Sequence, residues 1–177
     1  MALRVTSIPA LPRVNNGIGR AWPLFTTLVM AVLTMLPVRI PGYAALTPAF
    51  TLMAVYHWTI YRPDLLPSTG LFAIGLVEDL LTGAPVGAGT LVLLIARAGV
   101  LRYRRLFVNR GFPFVWAGFT LLAAAVMGML WAFNCLIMLD LIDIRATVFR
   151  LVLTVAAFPA ASFALGRSQR VLIDAHA

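Results

Sequence analysis

Apolar stretches close to membrane-spanning length follow one another along almost the whole of this chain, and arginine is concentrated in the short gaps between them. That alternation limits the possible folds more than any single motif does. A helix that crosses a bilayer needs about 20 predominantly apolar residues. Here 62% of the 177 residues are hydrophobic and only 11% are charged, against about 25% charged in an ordinary soluble domain. Too little polar surface remains to keep a compact body of this size in water. The pattern predicts an all-α, polytopic membrane protein.

Six transmembrane helices are expected, at about 22–38, 44–61, 65–82, 86–101, 112–139 and 146–166. They form one domain over residues 22–166, between a cytoplasmic N-terminal tail at 1–21 and a cytoplasmic C-terminal tail at 167–177. His57, Trp58 and Tyr61 close the second run and read as an aromatic belt at an interface. The formal net charge is +8, and all 14 basic residues are arginine. On a soluble chain that excess would suggest nucleic acid. Placed in the gaps, it sets orientation instead, and no nucleic-acid partner is expected. With the N-terminus in the cytoplasm, Arg4, Arg13, Arg20, Arg62, Arg102, Arg104, Arg105, Arg110, Arg167 and Arg170 lie inside, and only Arg39 and Arg145 outside. Both termini are then cytoplasmic. The longest connection, RYRRLFVNRG, should meet anionic lipid headgroups.

Catalytic chemistry finds little to work with. Cys135 is the one cysteine, which excludes an internal disulfide. His57 and His176 are the only histidines, and neither has a nucleophile or carboxylate partner evident in the sequence. No spacing suggests a metal or a cofactor. GAPVGAG, at 83–89, lacks the spacing and following lysine of a phosphate-binding loop and reads as a tight external reversal. The first twenty residues lack the long apolar core of a cleaved signal peptide.

Glu78 and Asp79 are the most unusual residues, because ionised carboxylates in an apolar run are costly and face a partner or a cavity. Gly75 and Asp79 are four apart and share a helix face; Glu78 points about 100° away. By depth, Asp79 and Arg150 each lie about one turn from the external surface, so an intramembrane ion pair between them is expected if the third and sixth spans are neighbours. Arg97 either snorkels or caps nearby carbonyls. Small residues at Gly70–Gly75 and Ala123–Gly128 offer faces where another helix could pack closely, within this subunit or from a partner.

Residues 61–87 read YRPDLLPSTGLFAIGLVEDLLTGAPVG. This resembles the core signature of the bacterial rod shape-determining protein MreD family. That signature is an Arg-Pro-acidic element after the second span, followed by Gly-Leu-x-x-Asp-Leu-Leu-x-Gly-x-Pro-x-Gly. The corresponding residues are Arg62, Pro63 and Asp64, then Gly75, Leu76, Asp79, Leu80, Leu81, Gly83, Pro85 and Gly87. The resemblance implies a non-enzymatic scaffold or modulator in the bacterial inner membrane. Its implied partners are an MreC-like periplasmic protein and a wall synthase, a SEDS glycosyltransferase with its transpeptidase, with the actin-like MreB contacted indirectly. It also implies a fold similar to the substrate-binding components of vitamin transporters. The alternative function is a small-molecule-binding membrane component of a transporter.

Overall fold

The computed structural model describes residues 17–35, 47–83, 85–108, 110–138 and 143–172. Most of the expected N-terminal tail, the connection carrying Arg39, and the end of the C-terminal tail lie outside the described residues. Six helices are described: α1 (Gly17–Met35), α2 (Phe50–Tyr61), α3 (Ser68–Thr82), α4 (Ala88–Val108), α5 (Phe112–Met138) and α6 (Ile144–Leu172). A 3-10 turn, Pro63–Leu65, joins α2 to α3.

The chain is all-α, but the expected six spans are corrected. Among the described residues, two helical segments are long and apolar enough to cross a membrane, Phe112–Ile137 and Ile144–Ser168. The others fall short for separate reasons. At 1.5 Å per residue, the 12 residues of α2 reach about 18 Å and the 15 of α3 about 22 Å, against a hydrocarbon core of about 30 Å. The 21 residues of α4 include Arg97, Arg102, Arg104 and Arg105, which break its apolar window. In α1 the apolar part is only Ala21–Thr34. Inside the bundle only 17% and 22% of the two long apolar windows are buried, so their apolar surface faces outward. Phe25 and Val32 on α1, Leu80 and Leu81 on α3, and Leu91 on α4 are exposed as well. Surface of this kind fits association with a membrane.

The middle of the bundle is α2. Thr51 through Ile60 are all buried, as expected for a helix that is apolar all round. It packs against α1, α4 and α6. Several polar groups on α2 and just before it reach its neighbours. Trp58 Nε1 donates to Thr26 Oγ1 on α1 at 3.0 Å, and the Tyr56 hydroxyl donates to the Val115 carbonyl on α5 at 2.9 Å. Thr34 and Thr51 hydroxyls meet at 3.3 Å, and Ala49 N–H donates to Thr154 Oγ1 on α6 at 3.1 Å. Phe119 and Phe158 stack with centroids 4.0 Å apart beside Tyr56. His57 and Trp58 are therefore interior, with Trp58 fully buried, and of the expected belt only Tyr61 is exposed.

Candidate functional site

The signature residues gather at two places along α4, its start and its middle. At its start, α3 ends in a left-handed cap at Gly83, with φ of 68°; only glycine adopts that conformation without strain. Pro85 and Gly87 complete the reversal, Gly87 with φ of 92°, and the Pro85 carbonyl accepts from Ala88 N–H at 3.0 Å. The chain thus returns with α4 beside α3. The approach is close. A Cβ on Gly75 would lie 3.1 Å from Thr90 Cα, and one on Gly89 would collide with Asp79 Oδ1.

Asp79 is buried at this contact. Its Oδ2 accepts from Gly87 N–H at 3.0 Å, Thr90 N–H at 3.0 Å and Thr90 Oγ1 at 2.9 Å. The first N–H groups of a helix have no partner within it, and a carboxylate there also meets the positive end of the helix dipole. Asp79 therefore caps α4 from the neighbouring helix.

At the second place, arginines of α4 bond to carbonyls. Arg62 is buried, and its N–H donates to the Trp58 carbonyl at 2.8 Å, closing α2. Pro63 starts the 3-10 turn, and Asp64 is exposed on it. From α4, Arg97 donates to the Leu66 carbonyl at 2.7 Å, the Pro63 carbonyl at 3.4 Å and Ser68 Oγ at 2.8 Å. Two turns further on, Arg104 Nε donates to the Ile60 carbonyl at 2.6 Å. Of the two expectations for Arg97, capping is the one observed. Arg104 was not anticipated, although its spacing of seven from Arg97 puts both on one face.

Glu78 and Arg150 both line a cavity of about 360 Å³ that Asp79 also borders. Asp79 and Arg150 thus share a wall, with Asp79 engaged by α4. Arg150 Nε donates to the Thr47 carbonyl at 3.1 Å. Thr51 lines the same wall, and Glu78 Oε2 is buried with no hydrogen-bond partner among the described residues. Asn134 on α5 completes the polar part of the wall. Among the described residues no group of three or more His, Cys, Asp or Glu could hold a metal ion.

Compared with known proteins, residues 19–160 match the family model described as rod shape-determining protein MreD. No curated protein and no solved structure matches. The expected similarity of fold to substrate-binding components of vitamin transporters is corrected with the span count, since that likeness was to a body of six spanning helices.

Proposed function

The chain belongs to the MreD family of rod shape-determining proteins, and on that premise we propose that it is a scaffold or modulator of the cell-elongation complex in the bacterial inner membrane. Membership makes it a non-enzymatic component of cell-shape determination and implies partners within the rod complex. In our reading these are an MreC-like membrane-anchored periplasmic protein and the wall synthase, a SEDS glycosyltransferase with its transpeptidase. Lateral peptidoglycan synthesis is then supported by contact, and the actin-like MreB is reached indirectly.

Orientation follows from arginine. Arg102, Arg104, Arg105 and Arg110 precede the long apolar segment of α5, and Arg167 and Arg170 follow that of α6, while Arg145 lies between them. The positive-inside rule favours a cytoplasmic position for the arginine-rich end, with both termini on that side and anionic headgroups against the cluster.

The observation that supports a contact role is the outward face of α5. Leu121, Ala124, Ala125 and Gly128 are exposed along one stripe, and a Cβ on Gly128 would meet nothing within 4 Å. Small residues on a lipid-facing helix let a second backbone come close, which suits the single membrane anchor of an MreC-like partner. Gly70 and Gly75 instead pack against Leu24 and Thr90 inside the subunit. Arg62, Pro63, Gly75, Asp79, Gly83, Pro85 and Gly87 then serve the packing around α4, and the exposed signature residues Asp64, Leu80 and Leu81 are available to a partner.

The test is gentle affinity purification from native membranes, quantified by mass spectrometry against an equally expressed unrelated membrane protein. Enrichment of the MreC-like protein and the wall synthase is expected, and Gly128→Leu should reduce it. Enrichment of neither refutes the scaffold reading; enrichment untouched by Gly128→Leu moves the contact off α5.

A further inference from the structure

Among the described residues, helix packing leaves a space whose wall carries several polar groups. The cavity of about 360 Å³ beside Glu78 takes lining from every helix: Thr34 on α1, Thr51 on α2, Glu78 on α3, Val92 on α4, Phe133 on α5 and Arg150 on α6. Its size falls within the range of small-molecule pockets, about 300–1,000 Å³. Like them, it combines an apolar wall with a few convergent polar groups.

The polar groups do not have equal demands. Asp79 is satisfied by three donors from the start of α4. Arg150 Nε is held by the Thr47 carbonyl. Asn134 Nδ2 donates to the Leu130 carbonyl at 2.9 Å, leaving its side-chain oxygen as an acceptor. Among the described residues Glu78 Oε2 is buried without a donor, and a buried oxygen in that state is costly. The open acceptor on Glu78 calls for a donor, and a charged N–H donor makes the stronger hydrogen bond to a carboxylate oxygen. Arg150 on the same wall opposes a second positive charge. A bare metal ion is not matched, because hard cations take six or more oxygen ligands and much of this wall is Val92, Leu93, Val126, Leu130 and Phe133.

We propose that this cavity binds a small organic monoammonium compound, its N–H donating to Glu78 Oε2 and its apolar body lying against Val92, Leu130 and Phe133. Asn134 Oδ1 can accept a second N–H from the same group. Arg150 acts as a selectivity element that excludes diamines and leaves room for one acceptor oxygen on the ligand.

The experiment uses the full chain in nanodiscs of zwitterionic lipid, with empty nanodiscs subtracted. Binding of n-pentylamine, n-pentanol and n-pentanoate is compared by calorimetry and by thermal unfolding. These probes share a chain length and differ in the head group. The amine should bind at least about tenfold more tightly than either of the others, the value of one charge-assisted hydrogen bond. Glu78→Gln should bring the amine to the level of the alcohol. Equal binding of amine and alcohol identifies a water-filled void and overturns the proposal. So does undiminished amine binding in Glu78→Gln, or no binding of any probe. The comparison among probes on the unmodified chain stands even where the variant fails to fold. Partner capture takes no part in this assay, so failure here leaves the scaffold reading standing.

Discussion

Asp79 holds the start of α4 through one carboxylate oxygen, so substitutions there separate charge from shape. Asp79→Asn keeps an acceptor oxygen facing Gly87 N–H and Thr90 but removes the charge from the positive end of α4. A charge in that position contributes up to ~2 kcal/mol when partly buried, so a loss of about 1–2 kcal/mol is expected. Asp79→Ala leaves two N–H groups and a hydroxyl without their acceptor. Each unsatisfied buried group costs ~1–3 kcal/mol, though neighbouring losses do not add. The expected total is about 3–5 kcal/mol, close to that for breaking a buried ion pair. The assay is unfolding of the purified chain in mixed micelles of mild detergent and dodecyl sulfate, followed by circular dichroism. Double-mutant cycles then identify the partner. Asp79→Asn should couple to Thr90→Val by about 1 kcal/mol and to Arg150→Gln by less than about 0.5 kcal/mol. An Asp79→Ala variant within about 1 kcal/mol of the parent, or coupling to Arg150 in place of Thr90, would refute the capping role.

Two further outcomes are expected in the same unfolding assay. Gly89→Ala places a methyl group on Asp79 Oδ1 and should cost about 1–3 kcal/mol, a loss that largely disappears when Asp79 is already alanine. Arg97→Met withdraws the donors from the Leu66 and Pro63 carbonyls and should cost about 1.5–3 kcal/mol, the range for hydrogen bonds to a charged group, with faster proteolysis at the turn between α2 and α3.

Hydropathy marked where helices occur, because α5 and α6 lie under the two longest apolar runs. It could not distinguish a residue facing lipid from one facing another helix, since both are apolar. Trp58 shows this: beside His57 and Tyr61 it resembles an interfacial belt, yet it is enclosed and bonded to Thr26. Run length was also a poor measure of helix length. The run at 44–61 includes Pro48, and α2 begins only at Phe50. The reversal after α3 was legible because Gly83, Pro85 and Gly87 carry their conformational reasons with them. Which of two adjacent carboxylates takes the start of α4 was not, because it depends on how α3 is rotated about its axis. The cavity depends on six helices at once, and no local spacing encodes that.

The enclosure of α2 has a consequence for the order of synthesis. Its Tyr56 hydroxyl waits for a carbonyl 59 residues further along the chain, and Ala49 N–H waits for a hydroxyl 105 residues on. When α2 leaves the ribosome, none of the wall that α4 and α6 will provide has been made. The nascent chain must therefore hold its most enclosed helix unfinished until nearly the last segment arrives. A chain interrupted before Thr154 lacks the partner that closes this helix, so incomplete copies carry a built-in mark of incompleteness for membrane quality control to act upon.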